Sequence, residues 1–181
     1  MLKTHSYIRW LAPVALVMTA APGYGVQYLN IEQAQKSCFG AEARFESADV
    51  RLTKEQAKTI EARSGVKVRQ MDQRVWKAVV GGVLAGWFIV DEVIGKHELI
   101  TYGLALSTDG AVRQVEVIEY RENYGQEVRN EKWKGQFTGK RHGAPLKLED
   151  DIKNITGATL SCRHITEGVK RLLALYDLVL K

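Results

Sequence analysis

The feature that most constrains the fold of this chain is a pair of strand-like runs joined by a tight-turn signal. The runs cover residues 100–107 and 111–120, and Thr108-Asp109-Gly110 lies between them. Asp-Gly in this position predicts a β-hairpin, because both residues tolerate the positive φ angles of short hairpin turns. In the second run valines alternate imperfectly with polar residues, as expected of a sheet with one solvated face. The sequence therefore predicts an antiparallel sheet.

Helix signals lie before this hairpin. Asn30 is a suitable cap for a helix over residues 31–39, and Gly40 is a suitable stop. Thr53 begins a second helix with a capping-box pattern, and Ser64-Gly65 closes it. Two further strands are predicted over residues 75–80 and 84–91.

The end of the chain is predicted to be one helix over residues 158–178, preceded by a short helix over residues 131–137. Its apolar residues recur at helical spacing and form one face: Ile165, Val169, Leu172, Leu173, Tyr176 and Val179. Strands followed by a closing helix indicate an α+β fold, with antiparallel strand hairpins packed against the C-terminal helix.

Residues 1–25 have the pattern of an export signal. Lys3 and Arg9 precede an apolar run over residues 10–20, and small residues follow at 20–25. The apolar run is shorter than the roughly 20 residues needed to span a bilayer. A cleaved signal peptide is predicted, with an uncleaved N-terminal anchor as the alternative. Either one places the protein in the periplasm or at the outer face of the inner membrane.

Charge and cysteine usage exclude some classes of protein. The net charge of +5 falls to +3 without Lys3 and Arg9, and no zinc-finger spacing or basic helix accompanies it, so nucleic acid is not an expected partner. Cys38 and Cys162 lie too far apart in sequence for a metal pair, and no haem-attachment motif is present. A disulfide and two separate buried thiols are both open.

The segment that carries chemistry is residues 151–161, at the start of the final helix. The first amides of a helix lack internal partners, and the helix dipole adds positive potential there. A phosphate would therefore be stabilised beside Thr156, Gly157, Thr159 and Ser161. An ordinary threonine cap of the helix is the simpler alternative.

Thr156-Gly157-Ala158-Thr159, followed by Leu160-Ser161, resembles the Ser/Thr-Gly-Ala-Thr motif of the FMN-binding domain family. The family includes the C subunit of the sodium-translocating NADH:quinone reductase and the G subunit of the related ferredoxin-dependent complex. The resemblance covers roughly residues 96–176. It implies that a flavin transferase attaches FMN through a phosphodiester to Thr159. The implied organisation is a helical segment over residues 26–70 and an FMN-binding domain over residues 71–181.

The resemblance also implies a cofactor site that combines the motif with an upstream loop. That loop, Glu122-Asn123-Tyr124-Gly125, keeps the glutamate and one glycine of the respiratory subunits but lacks their proline. Lys153 stands where the family usually has an aspartate, with Asp150 and Asp151 nearby. The predicted cofactor-binding residues are Thr156, Gly157, Ala158, Thr159, Leu160, Ser161, Glu122, Tyr124 and Gly125. Tyr120 is a further candidate for the pocket wall, and Lys140 and Arg141 are candidates to meet negative charge on the cofactor.

The function implied is an exported flavoprotein that transfers electrons rather than turning over a substrate, with no catalytic residue or metal ligand of its own. The alternatives are an extracytoplasmic flavin-dependent reductase of a small molecule, a non-covalent FMN-binding module, and a non-redox module for a phosphate-bearing ligand. Expected partners are a flavin transferase and a membrane-bound or haem-containing redox protein. The basic residues Lys132, Lys134, Lys140 and Arg141 are a candidate docking region for that redox protein.

Overall fold

A computed structural model describes residues 26–122 and 124–181; the predicted export signal lies outside these ranges. Antiparallel strands form one sheet in the order β1-β7-β6-β5-β4-β2, and β3 pairs with β4. The strands are β1 Val26–Gln27, β2 Arg44–Ser47, β3 Val50–Arg51, β4 Asp72–Val80, β5 Val83–Ile94, β6 Leu99–Ser107 and β7 Val112–Tyr120. The helices are α1 Ile31–Phe39, α2 Lys54–Ser64, α3 Glu131–Lys134 and α4 Thr159–Leu175.

The predicted hairpin is formed by two neighbouring strands of this sheet. Strands β6 and β7 pair antiparallel from Ile100 opposite Tyr120 to Leu106 opposite Val112. In the turn, the Ser107 hydroxyl donates to the Asp109 carboxylate over 2.5 Å, and Gly110 adopts a φ of +79°. An added Cβ at Gly110 would lie 2.3 Å from the Tyr176 ring, so the turn needs glycine for space as well as for conformation.

The helix boundaries follow the capping signals. Asn30 and Thr53 each form a complete capping box, and α2 ends at Gly65 in the left-handed conformation. The short helix predicted over residues 131–137 divides into α3 and a 3₁₀ turn over Gly135–Phe137. The final helix ends earlier than predicted, at Leu175, and a π-helical turn over Tyr176–Leu180 follows it.

The two faces of the sheet are covered by different helices. On one face α1 packs against a small cluster that includes Phe88, Ala105 and Ile118. On the other face α4 and α2 cover the larger core, which includes Ile89 and Leu104. Adjacent residues along a strand point to opposite faces, so one strand serves both cores. The α+β expectation is confirmed.

Residues 26–70 contain strands as well as the two predicted helices. β1 pairs with the end of β7, and β2 pairs with β4. β3 adds two further pairs to β4. This segment therefore belongs to the same sheet as the strands of the 71–181 unit. Among the described residues, no helix has the length and apolar character needed to cross a membrane.

The orientation of α4 is set by contacts at three points. One turn before its last residue, Arg171 forms a buried ion pair with Asp91 of β5. At its C-terminal end, the Tyr176 hydroxyl donates to the Thr108 carbonyl over 2.6 Å. At its N-terminal end, Ser161 contacts Tyr120 at the end of β7. The motif and the β6–β7 turn therefore lie at opposite ends of the helix.

Candidate functional site

Thr159 is the first residue of α4, and its side chain is exposed. The Asn154 side-chain amide donates to the Thr159 hydroxyl oxygen over 3.0 Å. The capping position belongs to Ala158, which has no side chain able to cap, and no side-chain hydrogen bond satisfies the first turn. The alternative of an ordinary threonine cap is therefore wrong: the hydroxyl faces solvent and is held from outside the helix.

The start of α4 suits a phosphate. A helix of 17 residues has its full dipole, and the amides of its first turn lack a side-chain partner. Gly157 adopts a φ of +87°, and an added Cβ there would meet nothing within 4 Å. The backbone before Thr159 is therefore open to a phosphate and its ester chain.

Asn154 is a candidate site residue that the sequence analysis did not include. Its Nδ2 bonds Thr159, but its Oδ1 is buried and has no hydrogen-bond partner among the described residues. A buried acceptor without a partner is destabilising unless another group satisfies it. The motif does not include Asn154. The only sequence signal for a role in the site was its position five residues before Thr159, just ahead of a helix start.

The upstream loop packs directly on the start of α4, as the resemblance implied. The Tyr120 hydroxyl donates to the Tyr124 carbonyl over 2.5 Å and lies 3.0 Å from the Ser161 hydroxyl. Burial raises the pKa of Tyr120 above its ordinary value, and the Ser161 contact opposes this. A Cβ at Gly125 would lie 2.5 Å from that hydroxyl and 3.1 Å from Ala158. The contact therefore requires glycine at position 125.

The predicted cofactor residues divide by exposure. Thr156, Gly157, Thr159 and Leu160 are exposed, and Leu160 is 39% exposed despite being apolar. Ala158 and Ser161 are buried and serve the packing of α4 on β7 and the upstream loop. The ring of Tyr124 is 84% exposed beside the motif, which leaves an aromatic surface available for stacking.

Glu122 has a structural partner. Its carboxylate accepts the amides of His97 and Glu98, the second over 2.9 Å, and so closes the β5–β6 turn. Burial works against ionisation, but these bonds and one from Lys96 outweigh it and lower the pKa of Glu122. Glu122 therefore orders the turn at the edge of the site.

Lys140 and Arg141, the candidates to meet negative charge on the cofactor, are both held in ion pairs. Arg141 pairs with Asp109 in the β6–β7 turn, and Lys140 pairs with Asp151 over 2.7 Å. The backbone of Lys140 bonds Val112 at the start of β7. Val112 and Tyr120 lie at opposite ends of β7, and the eight residues that follow Val112 place them about 26 Å apart.

The proposed docking region also changes. Lys134 is buried and bonded to Glu116 and Glu131, both over 2.7 Å. Because Lys140 and Arg141 are also paired, Lys132 is the one member of the group that is exposed and has no ion pair among the described residues. The four residues therefore do not form one positive surface.

The segment before the motif is held by its backbone. Trp133 donates its indole N–H to the Lys153 carbonyl over 2.9 Å, and the Lys153 amide donates to Gln136 over 2.8 Å. The Lys153 side chain is exposed. Asp151 accepts from Lys140 and from the backbone amides of Leu146 and Lys147.

The two cysteines are separate buried thiols. Burial raises the pKa of Cys162 to about 11 and that of Cys38 to about 12. The position of Cys162 at a helix start therefore does not activate it, since desolvation of the thiolate outweighs the helix dipole.

The profile of the FMN-binding domain family matches residues 95–174, close to the range expected from the motif. Over these residues the chain is similar to the FMN-binding domain family. The match begins at the β5–β6 turn and includes the upstream loop, Asn154 and Thr159. The resemblance expected from the motif is confirmed over this range, and it supports FMN as the ligand. The sequences of curated proteins include no match to this chain.

The fold is similar to the crystal structure of Shewanella oneidensis NqrC, with a TM-score of 0.55 and 17% sequence identity. The superposition covers 81% of this chain and 88% of that chain. It extends well outside residues 95–174, so the likeness includes elements on the N-terminal side of the FMN-binding domain as well. At this identity the likeness concerns the fold alone.

Proposed function

We propose that this protein carries FMN covalently, through a phosphodiester at Thr159, and that it works as an exported electron carrier. The observation that carries the proposal is the exposed Thr159 hydroxyl at the uncapped start of α4, inside an FMN-binding domain. A hydroxyl in this place is accessible to a transferase. The same hydroxyl is not needed to cap the helix, so esterification leaves the fold intact.

Three groups of this chain suit the phosphate. The amides of the first turn of α4 provide donors and positive potential. Asn154 orients the oxygen of Thr159. Arg163 lies four residues after Thr159 on the helix, a spacing that brings side chains together, and has no ion pair among the described residues. Together these groups would stabilise the one negative charge of a phosphodiester.

FMN supplies one- and two-electron redox chemistry when it is bound. The chain's own contribution would be to position the ring: the exposed Tyr124 offers a stacking surface, and Gly125 allows the loop to approach α4. The hollow lined by Tyr124, Gly125, Gln126 and Glu127, about 370 Å³, lies on this side of the motif.

The exposure of the site favours an electron carrier over a substrate-converting enzyme. Thr159 and Tyr124 both lie at the surface, where a redox partner could approach the ring without entering a deep cavity. A flavin-dependent reductase of a small molecule is the alternative, and a non-covalent FMN module is a second one. The three differ in the bond at Thr159 and in whether a small molecule oxidises the reduced flavin.

The export pattern of residues 1–25 supports a location in the periplasm or at the outer face of the inner membrane. Nicotinamide cofactors are scarce there, so we expect a membrane-bound or haem-containing redox protein as partner and a flavin transferase for maturation. Cell fractionation tests the location. Full-length, uncleaved protein recovered from the cytoplasm of the native cell would contradict it.

The covalent bond is tested by mass spectrometry of protein exported from cells that express a flavin transferase. Trypsin releases residues 154–163 as one peptide, which contains Thr156 and Thr159. We expect the mass of FMN less one water on this peptide, with fragmentation assigning it to Thr159. Thr159→Ala should lose it and the matched Thr156→Ala should keep it. An unmodified Thr159 in native protein would refute covalent attachment.

A further inference from the structure

A cleft of about 660 Å³ runs along the face of α4 that follows the motif. Its walls are the loop after α2 at residues 64–69, the end of β5, the segment 145–148, and α4 from Arg163 to Arg171. The volume lies within the range of small-molecule sites, roughly 300–1,000 Å³.

The charges that line this cleft are unbalanced. Five cationic side chains line it and have no carboxylate partner among the described residues: Lys67, Arg69, Lys147, Arg163 and Lys170. Glu92 also lines the cleft, but it is paired with Arg74 over 3.7 Å. Glu167 is the remaining carboxylate of the lining. The cleft is therefore strongly positive, which favours anions.

Arg171 provides a second, independent observation. It lines the cleft but is only 5% exposed, because Asp91 holds one end of its guanidinium. Tyr102 donates to the same carboxylate oxygen over 2.6 Å, which fixes the pair in one position. The Nε of Arg171 is buried and has no hydrogen-bond partner among the described residues. A buried charged donor with a missing acceptor is the arrangement expected where a ligand oxygen completes the bond.

We propose that this cleft binds a small organic anion that bears at least two carboxylate or phosphate groups. One group would accept from Arg171, and the second would be stabilised by the lysines at the rim, Lys147 and Lys170. The site is distinct from the phosphate position at the uncapped end of α4, and it does not require a flavin at Thr159. A ligand bound here would lie beside Arg163, one turn from the motif.

Isothermal titration calorimetry at low ionic strength tests the proposal, with citrate and inorganic pyrophosphate as the two probes. Citrate distinguishes carboxylate recognition from the phosphate recognition that pyrophosphate reports. We expect one site per chain for at least one probe, both in flavinylated protein and in Thr159→Ala. Added salt should weaken it because screening reduces attraction between charges.

The test variant is a double substitution, Lys147→Gln and Lys170→Gln. The control is Lys58→Gln, at an exposed lysine of α2 outside the cleft. Loss of two charge-assisted contacts should raise the dissociation constant about tenfold or more. Lys58→Gln should leave it unchanged, and an unaltered thermal transition in the double variant would exclude unfolding as the cause.

Three results would overturn the proposal. The first is that neither probe binds up to millimolar concentration. The second is that Lys58→Gln weakens probe binding as much as the double variant does. The third is that a probe binds to Thr159→Ala but not to flavinylated protein. The third result would assign the cleft to the flavin itself. None of them bears on the bond at Thr159, which mass spectrometry decides separately.

Discussion

The packing of the upstream loop on the motif can be measured by comparing alanine substitutions at Gly125 and Gly157. The difference between their losses of unfolding free energy reports the packing. Both glycines adopt almost the same positive φ, +90° and +87°. They differ in surroundings: an added Cβ at Gly125 would meet the Tyr120 hydroxyl at 2.5 Å and Ala158 at 3.1 Å, whereas at Gly157 it would meet nothing within 4 Å. Substituting each with alanine therefore places a side chain at a positive φ in both cases, with crowding in one case alone.

The backbone strain of a non-glycine residue at such φ angles costs about 1–2 kcal/mol. Overpacking at a tight contact adds about 1–3 kcal/mol. We therefore expect Gly157→Ala to lower the free energy of unfolding by about 1–2 kcal/mol. Gly125→Ala should lower it by about 2–5 kcal/mol, the sum of both costs.

Urea denaturation of the unflavinylated proteins, followed by tryptophan fluorescence, measures both values. Gly125→Ala should also reduce flavin attachment at Thr159, since it displaces the loop that contacts Ala158. If the two variants lose the same stability, the close approach of Gly125 to Tyr120 is not a feature of the folded protein, and the upstream loop does not pack on α4 in this way.

Three further predictions concern single side chains. Thr159→Ala should cost no more than about 1 kcal/mol, because the exposed hydroxyl does not cap α4; loss of a cooperative thermal transition would show that Thr159 is chiefly structural. The pKa of Glu122 is lowered in the folded state. Its ionised carboxylate therefore stabilises the folded protein above the unfolded pKa of about 4.3, and this stabilisation is lost as pH falls through the folded pKa. In Glu122→Gln, the free energy of unfolding should therefore fall less steeply as pH is lowered into the acid range. An unchanged fall would show that the hydrogen bonds from the β5–β6 turn to the Glu122 carboxylate do not stabilise the protein. Burial raises the pKa of Cys38 to about 12 and that of Cys162 to about 11. Both thiols should therefore resist iodoacetamide at pH 8 until the protein unfolds. Rapid labelling of the native protein, measured by intact mass, would refute their burial.

Much of the architecture could be predicted because its signals are local. Capping boxes at Asn30 and Thr53, and Asp-Gly at the hairpin, fix where elements begin and turn. The short strands of residues 26–70 could not be predicted in this way. A pair of residues such as Val26–Gln27 has no periodicity of its own, and it becomes a strand because β7 offers an unpaired edge.

The site shows the same division. The order Thr156-Gly157-Ala158-Thr159 identified the ligand class and the helix start from sequence alone. Sequence order could not show that Ser161 faces inward to Tyr120 while Thr159 faces solvent, since that depends on how α4 is rotated against the sheet. Asn154 was missed because its bond to Thr159 exists only when the preceding loop is folded.

The sequence by itself determined the α+β class, the main strands and helices, and the resemblance of residues 95–174 to the FMN-binding domain family, because each depends on residues close together along the chain. Tertiary structure alone decided which charges are free. Lys140 and Arg141 are adjacent to glycine-rich sequence and looked available, but they pair with Asp151 and Asp109. Arg171 meets Asp91, 80 residues earlier in the chain. Ion pairing acts through space over a few ångströms, and only the folded chain brings such residues within that distance.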